Sequence, residues 1–138
     1  MPSYRLREAA DLLGVSDDTV RRWAESGRLM TATDAAGRRV VEGSVLARFA
    51  EANATAVPEV GPVARESARN RFVGLVTRVV RDTVMAQVEL QCGPYRVVSL
   101  MSREAADELG LQPGVRAIAS VKSTNVVIEI AVTADEKT

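Results

Sequence analysis

The side chains best placed to do chemistry in this chain are cations and hydroxyls, not nucleophiles. Ser67-Ala68-Arg69-Asn70 offers a hydroxyl, successive backbone N–H groups and a guanidinium. Lys122-Ser123 offers an ammonium and a second hydroxyl, and neither cluster contains an acid. Donors with positive charge and no carboxylate suit an anion that accepts hydrogen bonds and offers none. Ser102 adds a hydroxyl at the start of a short helical pattern, where free N–H groups favour negative charge. Lys122 is the only lysine inside a predicted domain, in a chain whose other cations are nearly all arginine. A compact ammonium on a flexible stem acts as a point charge. Taken singly, each cluster also fits a plainer role. Ser67 and Asn70 could start a strand, Arg69 could pair with Glu66, and Lys122-Ser123-Thr124-Asn125 could be a solvent-facing turn.

Composition narrows the alternatives. The chain has no histidine and one cysteine, Cys92. That removes the commonest general base, any intramolecular disulfide and any zinc site of Cys/His type. Cys92 lies in an alternating apolar segment with no histidine to activate it, and reads as a half-buried strand thiol. Neither a catalytic residue nor a metal ligand is expected, and the chain is read as a binding protein, not an enzyme. Eighteen basic residues balance eighteen acidic ones, so any contact with nucleic acid must come from local clustering. No apolar run reaches the roughly 18 residues that span a bilayer. The start lacks the apolar stretch of a signal peptide, so a cytoplasmic location is expected, with no membrane partner.

The elements that must position these residues fall into two domains, an α+β arrangement. Residues 1–54 show helical periodicity. Residues 55–66 are rich in proline and small side chains and read as a linker. Residues 67–132 alternate with period two, and 133–138 form a tail. In the first domain Leu6, Ala9, Ala10 and Leu13 define an amphipathic helix ending at Gly14. Ser16 caps a second helix with Val20, Trp23 and Ala24 inward, and Gly27 closes it. Residues 33–41 read as a hairpin, and Val45, Leu46 and Phe49 mark a third helix.

The stretch Tyr4–Ser16, then Thr19-Val20-Arg21-Arg22-Trp23, Ser26-Gly27-Arg28-Leu29 and Gly37-Arg38-Arg39-Val40, resembles the MerR-like and excisionase-type winged helix-turn-helix. The resemblance implies DNA as a partner. It places Thr19, Arg21 and Arg22 on the helix that enters the major groove and Arg38 and Arg39 on the wing, with Arg28 as a helper. Against it stand eight acids matching eight arginines in residues 1–54, with Asp17 and Asp18 where they would repel phosphate.

In the second domain Val73–Val79, Val84–Leu90, Val97–Leu100, Val115–Val121 and Val126–Ile130 give five predicted strands. A short helix from Ser102 to Gly110 sits between the third and fourth, the element order of a five-stranded OB-like barrel. Ser67-Ala68-Arg69-Asn70, Glu108-Leu109-Gly110-Leu111-Gln112-Pro113-Gly114 and Val121-Lys122-Ser123-Thr124-Asn125-Val126 resemble the Mop (molbindin, TOBE) family. That resemblance implies molybdate or tungstate as ligand, contacted by Ser67, Ala68 through its backbone, Arg69, Asn70, Ser102, Lys122 and Ser123. It implies a homo-oligomer, hexamer or dimer, with sites between subunits. Ala105 departs from the pattern, standing where relatives often carry a donor serine.

Two functions are compatible with the pairing of these domains. One is a DNA-binding transcriptional regulator that responds to the oxyanion. The other is an oxyanion store whose first domain serves assembly.

Overall fold

A computed structural model describes residues 2–56, 61 and 67–132. The chain divides into two compact units, Met1–Ala56 and Val57–Thr138.

The first unit opens with strand β1 (Ser3–Arg5) and helix α1 (Leu6–Leu13). The Glu8 carboxylate accepts the Arg5 backbone N–H at 3.1 Å, tying down the first turn of α1. Gly14 ends it at φ 70°, a conformation that costs glycine no steric penalty. Helix α2 (Asp17–Glu25) starts three residues later, with Ser16 Oγ accepting the Thr19 N–H at 3.2 Å. Strands β2 (Ala32–Thr33) and β3 (Arg39–Glu42) form a hairpin, and helix α3 (Gly43–Ala52) follows at once. β1 was not foreseen. It pairs antiparallel with β3, placing Tyr4 opposite Val41, so β3 is the middle strand of three.

Burial follows the apolar periodicity. Ala9, Ala10, Val20, Leu29, Val41, Leu46 and Phe49 form the core, with Trp23 and Leu13 packed against it. Trp23 and Phe49 approach to 5.1 Å between ring centroids, joining α2 to α3.

The second unit is a curled antiparallel sheet. Strands β4 (Asn70–Arg81), β5 (Met85–Cys92), β6 (Tyr95–Ser102) and β7 (Arg116–Val121) stand in the order β6-β5-β4-β7. Helix α4 (Arg103–Glu108) lies between β6 and β7 in sequence, capped by Ser102 Oγ on the Ala105 N–H at 3.1 Å. β4 carries the curl. Its first half pairs with β7 and its second half with β5, with a register shift between Val76 and Arg78. Such a bulge bends a strand and raises its twist. The backbone approach at Gly74 is close: a Cβ there would lie 2.4 Å from the Gln91 carbonyl oxygen and 2.6 Å from Cys92 Sγ. Val76, Ala86, Val88, Leu90, Cys92, Ala106 and Leu111 form the core of this unit.

One expectation is overturned. The fifth strand, expected at Val126, Ile128 and Ile130, is not formed. After β7 comes a single 3-10 turn, Ser123–Asn125, and residues 126–132 carry no strand pairing. Alternating β-branched residues show that a segment is fit for a sheet; they do not say that a sheet edge is within its reach.

Candidate functional sites

In the second unit the ladder between β4 and β7 brings two distant donor motifs together. Asn70 pairs with Val121, so Ser67-Ala68-Arg69 arrives at the sheet end from which Lys122-Ser123 departs. Asn70 Nδ2 also donates to the Val121 carbonyl at 3.1 Å, fixing that end of the ladder. Ala68 is buried, while Ser67, Arg69, Lys122 and Ser123 are exposed. Ala68 therefore anchors a short loop whose neighbours face solvent. Among the described residues the Lys122 ammonium has no ion-pair partner.

Ser102 is placed elsewhere. It pairs with Met85, and Met85 follows the turn after Arg81, so it lies at the opposite end of the sheet from Asn70. Its hydroxyl already caps α4. The neighbouring depression, about 570 Å³, is lined by Glu104, Asp107 and Glu108 as well as Arg103. One chain thus unites six of the seven residues singled out and leaves Ser102 apart. Arg81 secures this end, donating to Asp107 Oδ1 at 2.9 Å and to the Leu111 carbonyl at 2.8 Å. Cys92 is buried, and its thiol lies 3.8 Å from the Phe72 carbonyl. Burial pushes its pKa up, away from a reactive thiolate.

In the first unit the hairpin folds beside the start of α1 and the first turns of α2. Arg5, Arg7, Arg21, Arg38 and Arg39 line one open cleft of about 730 Å³, with Glu8 and Asp17 among them. Three of these arginines were singled out from sequence. Arg5 and Arg7 were not: Arg7 lies among the polar residues between the apolar positions of α1, and Arg5 precedes the helix in β1. Their two-residue spacing across the helix start was the available signal.

The arginines differ in how firmly they are held. Arg38 Nε donates to Asp34 Oδ2 at 3.0 Å, and the other oxygen of Asp34 accepts the backbone N–H groups of Ala36 and Arg38. Those backbone bonds, with the Arg38 guanidinium, hold the Asp34 carboxyl below its ordinary value. Arg39 Nε donates to Thr31 Oγ1 at 3.3 Å, and Arg21 stands 3.9 Å from Asp18. Thr19 and Arg22 are outside the cleft lining. Thr19 Oγ1 meets Ser16 Oγ at 2.9 Å and accepts from Arg22 at 3.4 Å. Arg28 has other work. Its guanidinium lies 5.2 Å from the Trp23 ring centroid and 5.9 Å from that of Phe49, and it donates to Asn53 Oδ1 at 2.6 Å. It ties the turn after α2 to the end of α3.

The TOBE domain family matches residues 66–128, and the helix-turn-helix domain family matches residues 3–54. Molybdenum-pterin-binding protein 2 of Clostridium pasteurianum is 38% identical over 63 residues, 45% of this chain and 93% of that protein. The chain belongs to the TOBE-domain family. The TOBE match encloses Ser67-Ala68-Arg69-Asn70, Ser102 and Lys122-Ser123, and the helix-turn-helix match encloses the arginine cleft. Molybdenum-pterin-binding protein MopB of Rhodobacter capsulatus is 29% identical over 103 residues, 74% of this TOBE-domain chain. The chain spans only 38% of that relative's length. The solved structure of MopII from Clostridium pasteurianum (apo2) matches at 36% identity and TM-score 0.45, over 48% of this chain and 100% of that one. Among the described residues no helix is long and apolar enough to cross a membrane. Nor does any group of three or more His, Cys, Asp or Glu there form a cation site.

Proposed function

We propose that the TOBE unit binds molybdate or tungstate, and that the helix-turn-helix unit binds DNA in response to it. One observation carries the anion half: the Asn70–Val121 rung sets the acid-free Ser67-Ala68-Arg69 loop beside Lys122-Ser123. Both anions are tetrahedral and unprotonated at neutral pH, so they need donors and cations and are repelled by carboxylates. Ser67, Arg69, Lys122 and Ser123 supply hydroxyls, a guanidinium and an ammonium. Ala68 offers its backbone N–H, and Asn70 holds the loop in place. In this reading Ser102 contributes from a neighbouring copy, as expected for sites between subunits of a homo-oligomer.

The DNA half rests on the arginine cleft. Arg5, Arg7, Arg21, Arg38 and Arg39 converge from β1, α1, α2 and the β2–β3 hairpin, the pattern expected for phosphate contact. Arg21 and Arg22 sit on the helix that would read bases, with Thr19 beside them. So small a unit neutralises few phosphates, and useful affinity needs two or more copies on one site. An oxyanion bound between copies would favour one spacing of the DNA-reading units. It would change DNA affinity by its own differential affinity for the two arrangements.

Glu8 and Asp17 in that cleft favour a second reading, an oxyanion store whose first unit serves assembly.

Calorimetric titration with molybdate, tungstate, sulfate and phosphate, on wild type and Lys122→Ala, tests the anion half. Tight binding of the first two anions, abolished in the variant, is expected. Equal response to all four anions would reduce the site to a charged patch. Gel shifts with and without molybdate separate regulator from store: the store predicts no DNA complex in either condition.

A further inference from the structure

The arginine cleft of the first unit holds two carboxylates, and they differ in what they do. Glu8 is occupied: its carboxylate accepts the Arg5 backbone N–H at 3.1 Å and fixes the start of α1. Asp17 is half-buried in the same cleft, yet among the described residues its side chain makes no hydrogen bond and no ion pair. The neighbouring acids of α2 and the hairpin are engaged as well. Asp34 holds the hairpin, and Asp18 stands 3.9 Å from Arg21. Asp17 precedes Arg21 by four residues, the spacing and order that favour pairing on a helix. The structure does not use that pairing, and Arg21 lies nearer Asp18.

An unpaired carboxylate among five arginines weakens a surface meant for phosphate. It repels the backbone equally whatever the sequence. Base edges in the major groove answer differently. A carboxylate accepts hydrogen bonds and donates none. Guanine presents two acceptors there, thymine an acceptor and a methyl group, and adenine a donor beside an acceptor. Cytosine alone presents a donor, its N4 amino group, with no acceptor on the same base. Asp17 stands in the first turn of α2, and in a helix-turn-helix the N-terminal residues of the second helix reach base edges.

We propose that Asp17 sets the base specificity of the DNA face, its carboxylate accepting from the N4 amino group of a cytosine in the major groove. The assignment rests on the DNA half of the function proposed above and names what that face selects. Asp17 and Arg21 then read together. Four residues of helix rise about 6 Å, less than two base-pair steps of about 3.4 Å each. Arg21 takes a guanine through O6 and N7, so the two side chains select a cytosine and a guanine within two steps of each other. Where no cytosine is present, Asp17 is left facing phosphate unpaired. It therefore widens the gap between specific and non-specific DNA from both sides.

The test takes full-length chain, with and without molybdate, through selection from a duplex library with a randomised core. Wild type, Asp17→Asn, Asp17→Ala and Arg21→Ala are compared. Wild type should enrich a cytosine that Asp17→Ala no longer selects, the other positions being kept. Replacing that cytosine should weaken wild type about tenfold and Asp17→Ala hardly at all. Asp17→Asn should move the preference there toward adenine, which an amide matches with two hydrogen bonds. The position should lie within two base pairs of the guanine lost in Arg21→Ala. On a duplex of A·T pairs alone, Asp17→Ala should bind about twofold tighter than wild type, because one repulsive charge is gone. Unchanged base preferences in both Asp17 variants, with only a lowered melting temperature, would overturn the assignment and leave Asp17 facing the helix dipole. Weaker binding of Asp17→Ala to the A·T duplex would overturn it too. If Asp17→Ala does not fold, the isosteric Asp17→Asn decides. A wild-type chain that retains no duplex in either condition would sink the DNA half itself, and this assignment with it.

Discussion

Asn70 and Val121 face each other at the end of the β4–β7 ladder, and the Asn70 amide donates to the Val121 carbonyl at 3.1 Å. Asn70 thus stands between the two donor loops as a positioning residue. Asn70→Ala is expected to weaken oxyanion binding about fivefold, the equivalent of one hydrogen bond worth about 1 kcal/mol. The melting temperature should fall by only a few degrees. Calorimetry against thermal unfolding separates the two effects. Unchanged affinity in a folded variant would mean that the loops do not depend on this rung.

Arg28 and Arg39 should divide cleanly between stability and DNA contact. Arg28 packs over Trp23 and Phe49, so Arg28→Ala should cost about 1 kcal/mol in chemical denaturation of the first unit. Its effect on DNA affinity should be small. Arg39→Ala should leave stability nearly unchanged, weaken DNA binding, and lower the salt-dependence slope by about one. The reverse assignment in denaturation and salt titrations would refute the cleft as the DNA face.

Asp34 organises the β2–β3 hairpin through two backbone N–H groups and the Arg38 guanidinium. Those donors favour the ionised carboxylate, so its folded pKa lies below the ordinary 3.8. Its contribution is complete above that value and is lost as pH falls through the lowered folded value. NMR titration of the Asp34 carboxyl should place its midpoint below 3.8. Asp34→Asn should flatten the acid dependence of the hairpin resonances.

Gly74 faces a backbone carbonyl that cannot yield. Gly74→Ala should destabilise the second unit by roughly 1–3 kcal/mol, as overpacking does. Adding Cys92→Ala removes the sulfur but not the Gln91 oxygen, so rescue should be partial at most. Urea denaturation of the single and double variants measures both. Full rescue would locate the conflict at the thiol alone.

The helices were legible because their ends are written in local chemistry. Ser16 and Ser102 cap α2 and α4, and Gly14 and Gly110 take the left-handed conformations that end α1 and α4. β1 was not legible. Three residues are too few for a period, and only their partner β3 makes them a strand. The fifth strand shows the opposite failure. Its alternation is clear, but periodicity describes one segment and is silent about which sheet will accept it. The same limit hid Arg5 and Arg7, whose place in the cleft depends on a hairpin more than thirty residues away. Arg28 looked like its exposed neighbours because a stacking role leaves no mark on spacing.

β4 lends one half of its length to β7 and the other to β5, with the bulge as the joint. An inserted residue within it would invert every inward side chain on one side of the insertion and break one of the two ladders. The hairpin tip at Gly93-Pro94 has no such double duty and should accept added residues freely. In this curled sheet, then, length variation among homologues should collect at the β5–β6 tip and spare the long strand, which acts as the ruler for the whole unit.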